Sequence, residues 1–206
     1  PPPAPAPEPV QPTPPPAPVV EPTPAPEPVV TPKAPPAPEV PDDPAARRQM
    51  TTRLLYEAGV HRSKGQLDSA IVAFSQAIEL DSNSFSAFNN RGLTFLEKGA
   101  FKDAVGDFTE AIRLQPERAF VYTNRATAYQ RLGELENAIA DYSTAIEIDD
   151  ELAGAYFQRG NCFFQAEIYD KAIEDYDRAL DINRRYKEAR ENKKLAEERL
   201  KEKRSP

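Results

Sequence analysis

The chain is poor in the groups that usually carry chemistry. It has one cysteine, Cys162, so no internal disulfide can form. It has one histidine, His61, so no second imidazole is available to activate that thiol or complete a metal site, and paired Cys/His ligand spacing is absent. No stretch approaches the ~18 apolar residues of a membrane-spanning helix, and none reads as a secretory signal. Lys and Arg total 26 against 33 Asp and Glu, which leaves no basic stripe for a nucleic-acid backbone. Beyond residue 44 proline is scarce as well: of 23 prolines, 21 lie in residues 1–44, and only Pro116 and Pro206 come later. These deficits point away from an enzyme, a cofactor carrier, a metalloprotein and a nucleic-acid binder.

The proline boundary divides the chain in two. Residues 1–43 vary the phrase Ala-Pro-Glu-Pro-Val-Val, with no apolar periodicity and little bulk to offset the entropy of ordering. They read as a disordered, polyproline-II-rich tether that could reach on the order of 130 Å at about 3.1 Å per residue. Six carboxylates (Glu8, Glu21, Glu27, Glu39, Asp42, Asp43) against Lys33 give residues 1–44 a net charge of −5, so the remainder carries only −2 of the total −7. A typical SH3 ligand role is disfavoured by that acidity. The opening Pro-Pro-Pro, without a Met, predicts that a segment once preceded it. An acidic tether before a folded module suits an envelope-anchored protein reaching across the periplasm; a cytoplasmic one is the alternative.

Past the tether, the chain repeats itself. Ala58, Gly92, Ala126 and Gly160 stand 34 residues apart, as do Ala70, Ala104, Ala138 and Ala172, then Phe74, Phe108, Tyr142 and Tyr176, then Ala77, Ala111, Ala145 and Ala179. A strict period of this size predicts a helical solenoid. The registers are 51–84, 85–118, 119–152 and 153–186, within a repeat body of 44–186 that starts at Asp43 as N-cap and Pro44 as first helical residue. Each register holds two helical stretches meeting at Gly65, Gly99 and Gly133; Glu167 takes that place in the fourth, predicting a less regular turn. Small residues at positions 8 and 20 let paired helices approach. Leu54, Phe88, Tyr122 and Tyr156 at position 4, and His61, Phe95, Tyr129 and Phe163 at position 11, fill the space between them. His61 is thus expected to be packing rather than a ligand. Residues 187–206 are read as a capping helix and tail, with Tyr186, Ala189, Ala196 and Leu200 on one stripe and charge on the other. The carboxylates Glu147, Asp149, Asp150 and Glu151 read as a solvated turn.

The pattern of small, aromatic and alanine positions over 51–186 resembles the tetratricopeptide repeat family, and Asn90-Arg91-Gly92 and Asn124-Arg125-Ala126 are similar to bacterial members. It departs at position 7, where the family usually has Leu and this chain has Glu57, Arg91, Arg125 and Arg159, and the family's position-32 proline survives only as Pro116. The resemblance implies an all-α, right-handed solenoid of four repeats, with the first helices lining a concave face. It further implies that positions 2, 5, 6, 9, 12 and 13 face the groove. Those are Ser86, Asn89, Asn90, Leu93, Leu96 and Glu97; Phe120, Thr123, Asn124, Thr127, Gln130 and Arg131; Gly154, Phe157, Gln158, Asn161, Phe164 and Gln165. Repeat one offers Thr52, Leu55, Tyr56, Gly59, Arg62 and Ser63.

Position 6 reads Tyr56, Asn90, Asn124, Gln158. A side-chain amide both donates and accepts, so stacked amides can hold a partner's backbone whatever its side chains, as in the resembling asparagine ladder of O-linked N-acetylglucosamine transferase. The competing reading is that these amides cap local polar groups. The carboxylate clamp of heat-shock co-chaperones does not fit, since positions 55, 59, 120 and 124 are Leu, Gly, Phe and Asn where that clamp needs Lys, Asn, Lys and Arg. The resulting expectation is a scaffold that binds an extended protein segment in its groove. A self-associating structural protein, or the regulatory arm of a larger enzyme, are the alternatives.

Overall fold

A computed structural model describes residues 43–205; the stretch read as a tether, residues 1–43, lies outside them except for Asp43. The described residues form nine α-helices and no strand. These are α1 (Pro44–Ser63), α2 (Leu67–Leu80), α3 (Phe85–Lys98), α4 (Phe101–Leu114), α5 (Ala119–Leu132), α6 (Leu135–Ile148), α7 (Ala153–Gln165), α8 (Tyr169–Ile182) and α9 (Lys187–Arg204). Each packs chiefly on its neighbours in the chain, as a solenoid requires. The odd helices also touch one another, α1 with α3, α3 with α5 and α7 with α9, which puts them together on the inner side. Of these neighbouring pairs, α5 and α7 pack least closely.

Local chemistry explains the helix ends. The Asp43 carboxylate accepts from the amides of Ala45 and Ala46 at 3.1 and 3.3 Å, with Pro44 at the first helical position. The turns inside the first three pairs pass through left-handed glycines, Gly65, Gly99 and Gly133, at φ of 72°, 81° and 79°. The fourth turn is not irregular. Glu167 itself adopts φ 58°, and the amides of Glu167 and Ile168 bond Phe164 O and Phe163 O as Gly133 and Glu134 bond Gln130 O and Tyr129 O. The hydrogen bonds of the turn dictate its backbone, and the residue conforms. An L-residue in that conformation costs about 1–2 kcal/mol, of which a glycine would return part as lost backbone entropy. Glu167→Gly is therefore expected to stabilise the protein by about 0.5–1 kcal/mol, read as a higher denaturant midpoint with an unchanged slope.

Packing accounts for the recurring residues. The alanines at positions 20 and 27 are fully buried in all four repeats, and Phe74, Phe108, Tyr142 and Tyr176 are at most 2% exposed. At Gly92 and Gly160 an added Cβ would lie 2.8 Å from the rings of Phe108 and Tyr176, so those positions have no room for a side chain.

The arginines at position 7 have an architectural reason. Arg91 donates through Nε and Nη2 to both carboxylate oxygens of Asp107 at 2.8 and 2.7 Å, and through Nη1 to Ser75 of the preceding repeat at 2.8 Å. Arg125 does the same with Asp141 and Thr109, and Arg159 with Asp175 and Ser143. Rings at positions 4 and 11 flank the cations: Arg125 lies 5.9 Å from the centroids of both Tyr122 and Tyr129. Each arginine thus ties both helices of its own pair to the second helix of the pair before.

The stack stops for a legible reason. Helix α9 occupies the place of the first helix of a fifth pair. Its Ala189 and Ala196 are fully buried against Tyr156, Ala172, Tyr176 and Ala179. Lys193 stands where the arginines stand and donates to Asp177 at 2.6 Å. Positions 4, 8 and 11, which would receive the next helix, are Arg190, Lys194 and Glu197, and no helix can pack on three charges without stranding them.

A candidate partner-binding groove

Three short polar networks decide which inner-face residues remain free. On α5, Thr127 Oγ1 lies 3.0 Å from Tyr142 Oη and 2.8 Å from Thr123 O. On α7, Asn161 Oδ1 accepts from Tyr176 Oη and from Asn192 Nδ2 of α9, each at 2.9 Å, while its Nδ2 donates to Gln158 Oε1 at 2.8 Å. On α3, Asn90 Nδ2 donates to Ser86 O at 2.8 Å. Positions 9 and 24 are matched. Where the core ring is a tyrosine, position 9 is Thr127 or Asn161 and satisfies its hydroxyl; where it is a phenylalanine, position 9 is Gly59 or Leu93.

Of the expected groove residues, Asn124 makes no hydrogen bond among the described residues and is half-buried, so both its amide atoms remain available. Asn90 keeps its oxygen and Gln158 its NH2 group. Asn161 is consumed internally, which sequence reasoning did not foresee. Asn89 is buried at 9% exposed, and its Oδ1 is the one buried side-chain oxygen or nitrogen without a partner among the described residues. Leu93 packs half-buried against the Phe108 cluster. Phe120 is 44% exposed and meets Phe85 edge-on at 6.1 Å. Phe164 meets Tyr169 at 5.3 Å, and Phe157 stacks obliquely on Tyr186 at 4.8 Å. Tyr56, at position 6 of the first repeat, is 74% exposed.

These side chains border three hollows. One of about 400 Å³ holds Asn90 beside Leu55, Gly59 and the Arg62–Glu97 ion pair, whose shorter contact is 2.6 Å. One of about 370 Å³ lies between α5 and α7, where Thr123, Asn124 and Thr127 face Phe157 and Gln158, with Tyr142, Leu152 and Tyr186 completing its walls. One of about 460 Å³ takes in Thr127, Arg131, Leu96, Glu97 and Lys98. Predicted residues from separate repeats therefore come together, most completely between α5 and α7.

Burial sets the protonation of the thiol and of two core phenols. Burial pushes the Cys162 thiol up to about 12, so at neutral pH it is a protonated core residue. Burial likewise pushes Tyr142 and Tyr176 up to about 12. All three favour the neutral form in the fold, while the unfolded chain ionises near 8.5 (Cys) and 10 (Tyr). Stability is thus fully present below those values and falls as pH rises toward 12, by up to ~1.4 kcal/mol per pH unit for each group. Denaturant midpoints are expected to be level to about pH 8 and to decline above it, and Cys162→Ala to delay the onset to about pH 10. A midpoint indifferent to pH between those limits and 12 contradicts the burial.

The fold and its inner face define a helical-repeat solenoid. A model described as TPR repeat matches residues 60–99, and one described as tetratricopeptide repeat matches 119–152 and 153–186. The chain belongs to the tetratricopeptide repeat family. A search of curated proteins at the sequence level finds no match. Among solved structures, the protein titled MamA is similar at 26% identity and a TM-score of 0.72, over 74% of this chain and 84% of that one. The first TPR of Spaghetti (RPAP3), titled as bound to HSP90 peptide SRMEEVD, is 26% identical with a TM-score of 0.56, over 58% and 95%. YrrB, titled a TPR protein with an unusual peptide-binding site, shares the fold at 22% identity and a TM-score of 0.66, over 78% and 82%.

Proposed function

We propose that the protein is an interaction scaffold that holds an extended segment of a partner protein in the groove formed by α3, α5 and α7. The observation that carries this reading is the hollow of about 370 Å³ between α5 and α7, where the unbonded Asn124 amide and the Gln158 NH2 face an aromatic wall. Amides there can pair with a peptide backbone, and the wall can take a side chain. The titled peptide complex of a Spaghetti repeat domain supports the same use of the fold. The exposed charges at the α9 end, Arg190 and Lys194 among them, favour a groove role over end-to-end stacking.

The test is capture by the full chain beside its Asn90→Ala, Asn124→Ala, Gln158→Ala variant, with helicity checked. Loss of central contacts of this kind costs about 2 kcal/mol or more, roughly thirtyfold in affinity. A partner retained equally by the folded variant would place the interface on another face.

A further inference from the structure

We infer that the groove selects a segment carrying one apolar side chain and, three residues from it, one carboxylate. The inference rests on the groove reading above and adds the chemistry of the occupant. Two of the hollows adjoin at Thr127 on α5. The hollow between α5 and α7 is the apolar end. Its Phe157 and Tyr186 rings stand 4.8 Å apart, and it is open because Gly154 occupies the repeat position that Phe120 fills one repeat earlier. A Cβ at Gly154 would meet nothing within 4 Å. The volume of about 370 Å³ suits one leucine- to phenylalanine-sized side chain with part of its backbone.

The other end is cationic. Lys98 is paired with Asp68, and Glu97, the acid that faces this hollow, is paired with Arg62. Arg131 is exposed and has no ion pair or hydrogen bond among the described residues. An unpaired guanidinium on the wall of a groove complements a carboxylate in its occupant. Asn124 and Arg131 lie seven positions apart on one helix, two turns or about 10 Å at ~1.5 Å per residue. An extended peptide advances about 3.3 Å per residue, so three residues span that distance. Asn124, on the wall of the apolar hollow, then meets the peptide unit beside the apolar anchor.

The experiment is fluorescence anisotropy of the full chain with blocked, labelled Gly/Ser peptides carrying one Leu and one Glu at separations of one, three and six, in both orders. The three-residue spacing is expected to bind about fivefold more tightly than the others, with Glu→Gln in the peptide removing that gain and about 0.5 M salt suppressing it. Arg131→Glu should reverse the preference toward a Lys-bearing peptide. Gly154→Phe should weaken all binding roughly tenfold with unchanged helicity, since a ring there enters the open space of the hollow. Equal binding of Glu and Gln peptides, an Arg131→Glu variant without reversal, or no binding by roughly 1 mM overturns the inference. If Gly154→Phe weakens binding while Arg131→Glu changes nothing, the groove reading stands and the acidic anchor falls. If neither Gly154→Phe nor Asn124→Ala affects peptides that do bind, the groove reading falls with it.

Discussion

Removal of residues 187–206 is expected to destabilise the protein by about 4 kcal/mol or more and to unfold the fourth helix pair with it. Helix α9 seals the open end of the stack. It covers Tyr176, which is 1% exposed, and Tyr156, which is 8% exposed, and burying a side chain of that size contributes ~1.5–3 kcal/mol each. Deleting it also breaks polar contacts. Asp177 loses Lys193, and Asn161 loses the Asn192 amide that it accepts from at 2.9 Å. In a solenoid each pair is held by its neighbours, so the loss falls on α7 and α8 first. Far-UV circular dichroism should lose more helix than the 18 residues of α9 account for, and amide exchange should quicken in α7 and α8 but not in α3 to α5. A truncated protein that keeps its melting temperature and exchange pattern would falsify the capping role.

The second large effect concerns the arginine network. Asp141→Ala removes the partner of a guanidinium whose side chain is 17% exposed and which lies between two tyrosine rings. Removing one member of a buried pair costs 3–5 kcal/mol when burial is complete, so about 3 kcal/mol is expected here. A guanidinium stays protonated throughout the accessible pH range, so Arg125 has no route to neutrality when its partner is lost. The double variant Arg125→Leu, Asp141→Ala should recover more than half of that loss, because no charge is left unpaired and position 7 then carries an apolar side chain. Denaturant unfolding of the two single variants and the double gives the coupling directly. A double variant as unstable as Asp141→Ala alone would mean that packing, not charge, sets the cost.

Much of this was legible beforehand. The 34-residue recurrence of small and ring residues named the architecture, because helices can approach only where side chains are small and must fill space elsewhere. The Asp43-Pro44 helix start followed from local chemistry alone. The arginine network is written in the sequence too, at the position where the chain departs from the family's Leu. Arg91/Asp107, Arg125/Asp141 and Arg159/Asp175 are each 16 residues apart, and the first repeat lacks both members, with Glu57 and Ala73 instead. The pairing of position 9 with the ring at position 24 is of the same kind.

What the groove retains for a partner was not legible. Asn89, Asn90, Asn124, Gln158 and Asn161 look equivalent as residue types, yet Asn89 is buried, Asn161 is spent on Tyr176 and Asn192, and Asn124 alone keeps its whole amide. Nor could sequence say that Glu167 would take a left-handed turn or that α5 and α7 would part at Gly154. By itself the sequence determined the repeat, its period, the first helix start and the charged face that ends the stack, all consequences of local propensity and strict periodicity. The tertiary structure alone decided which polar groups are consumed by neighbours and where the inner face opens. Those outcomes depend on which side chains from helices far apart in the chain arrive within hydrogen-bonding distance.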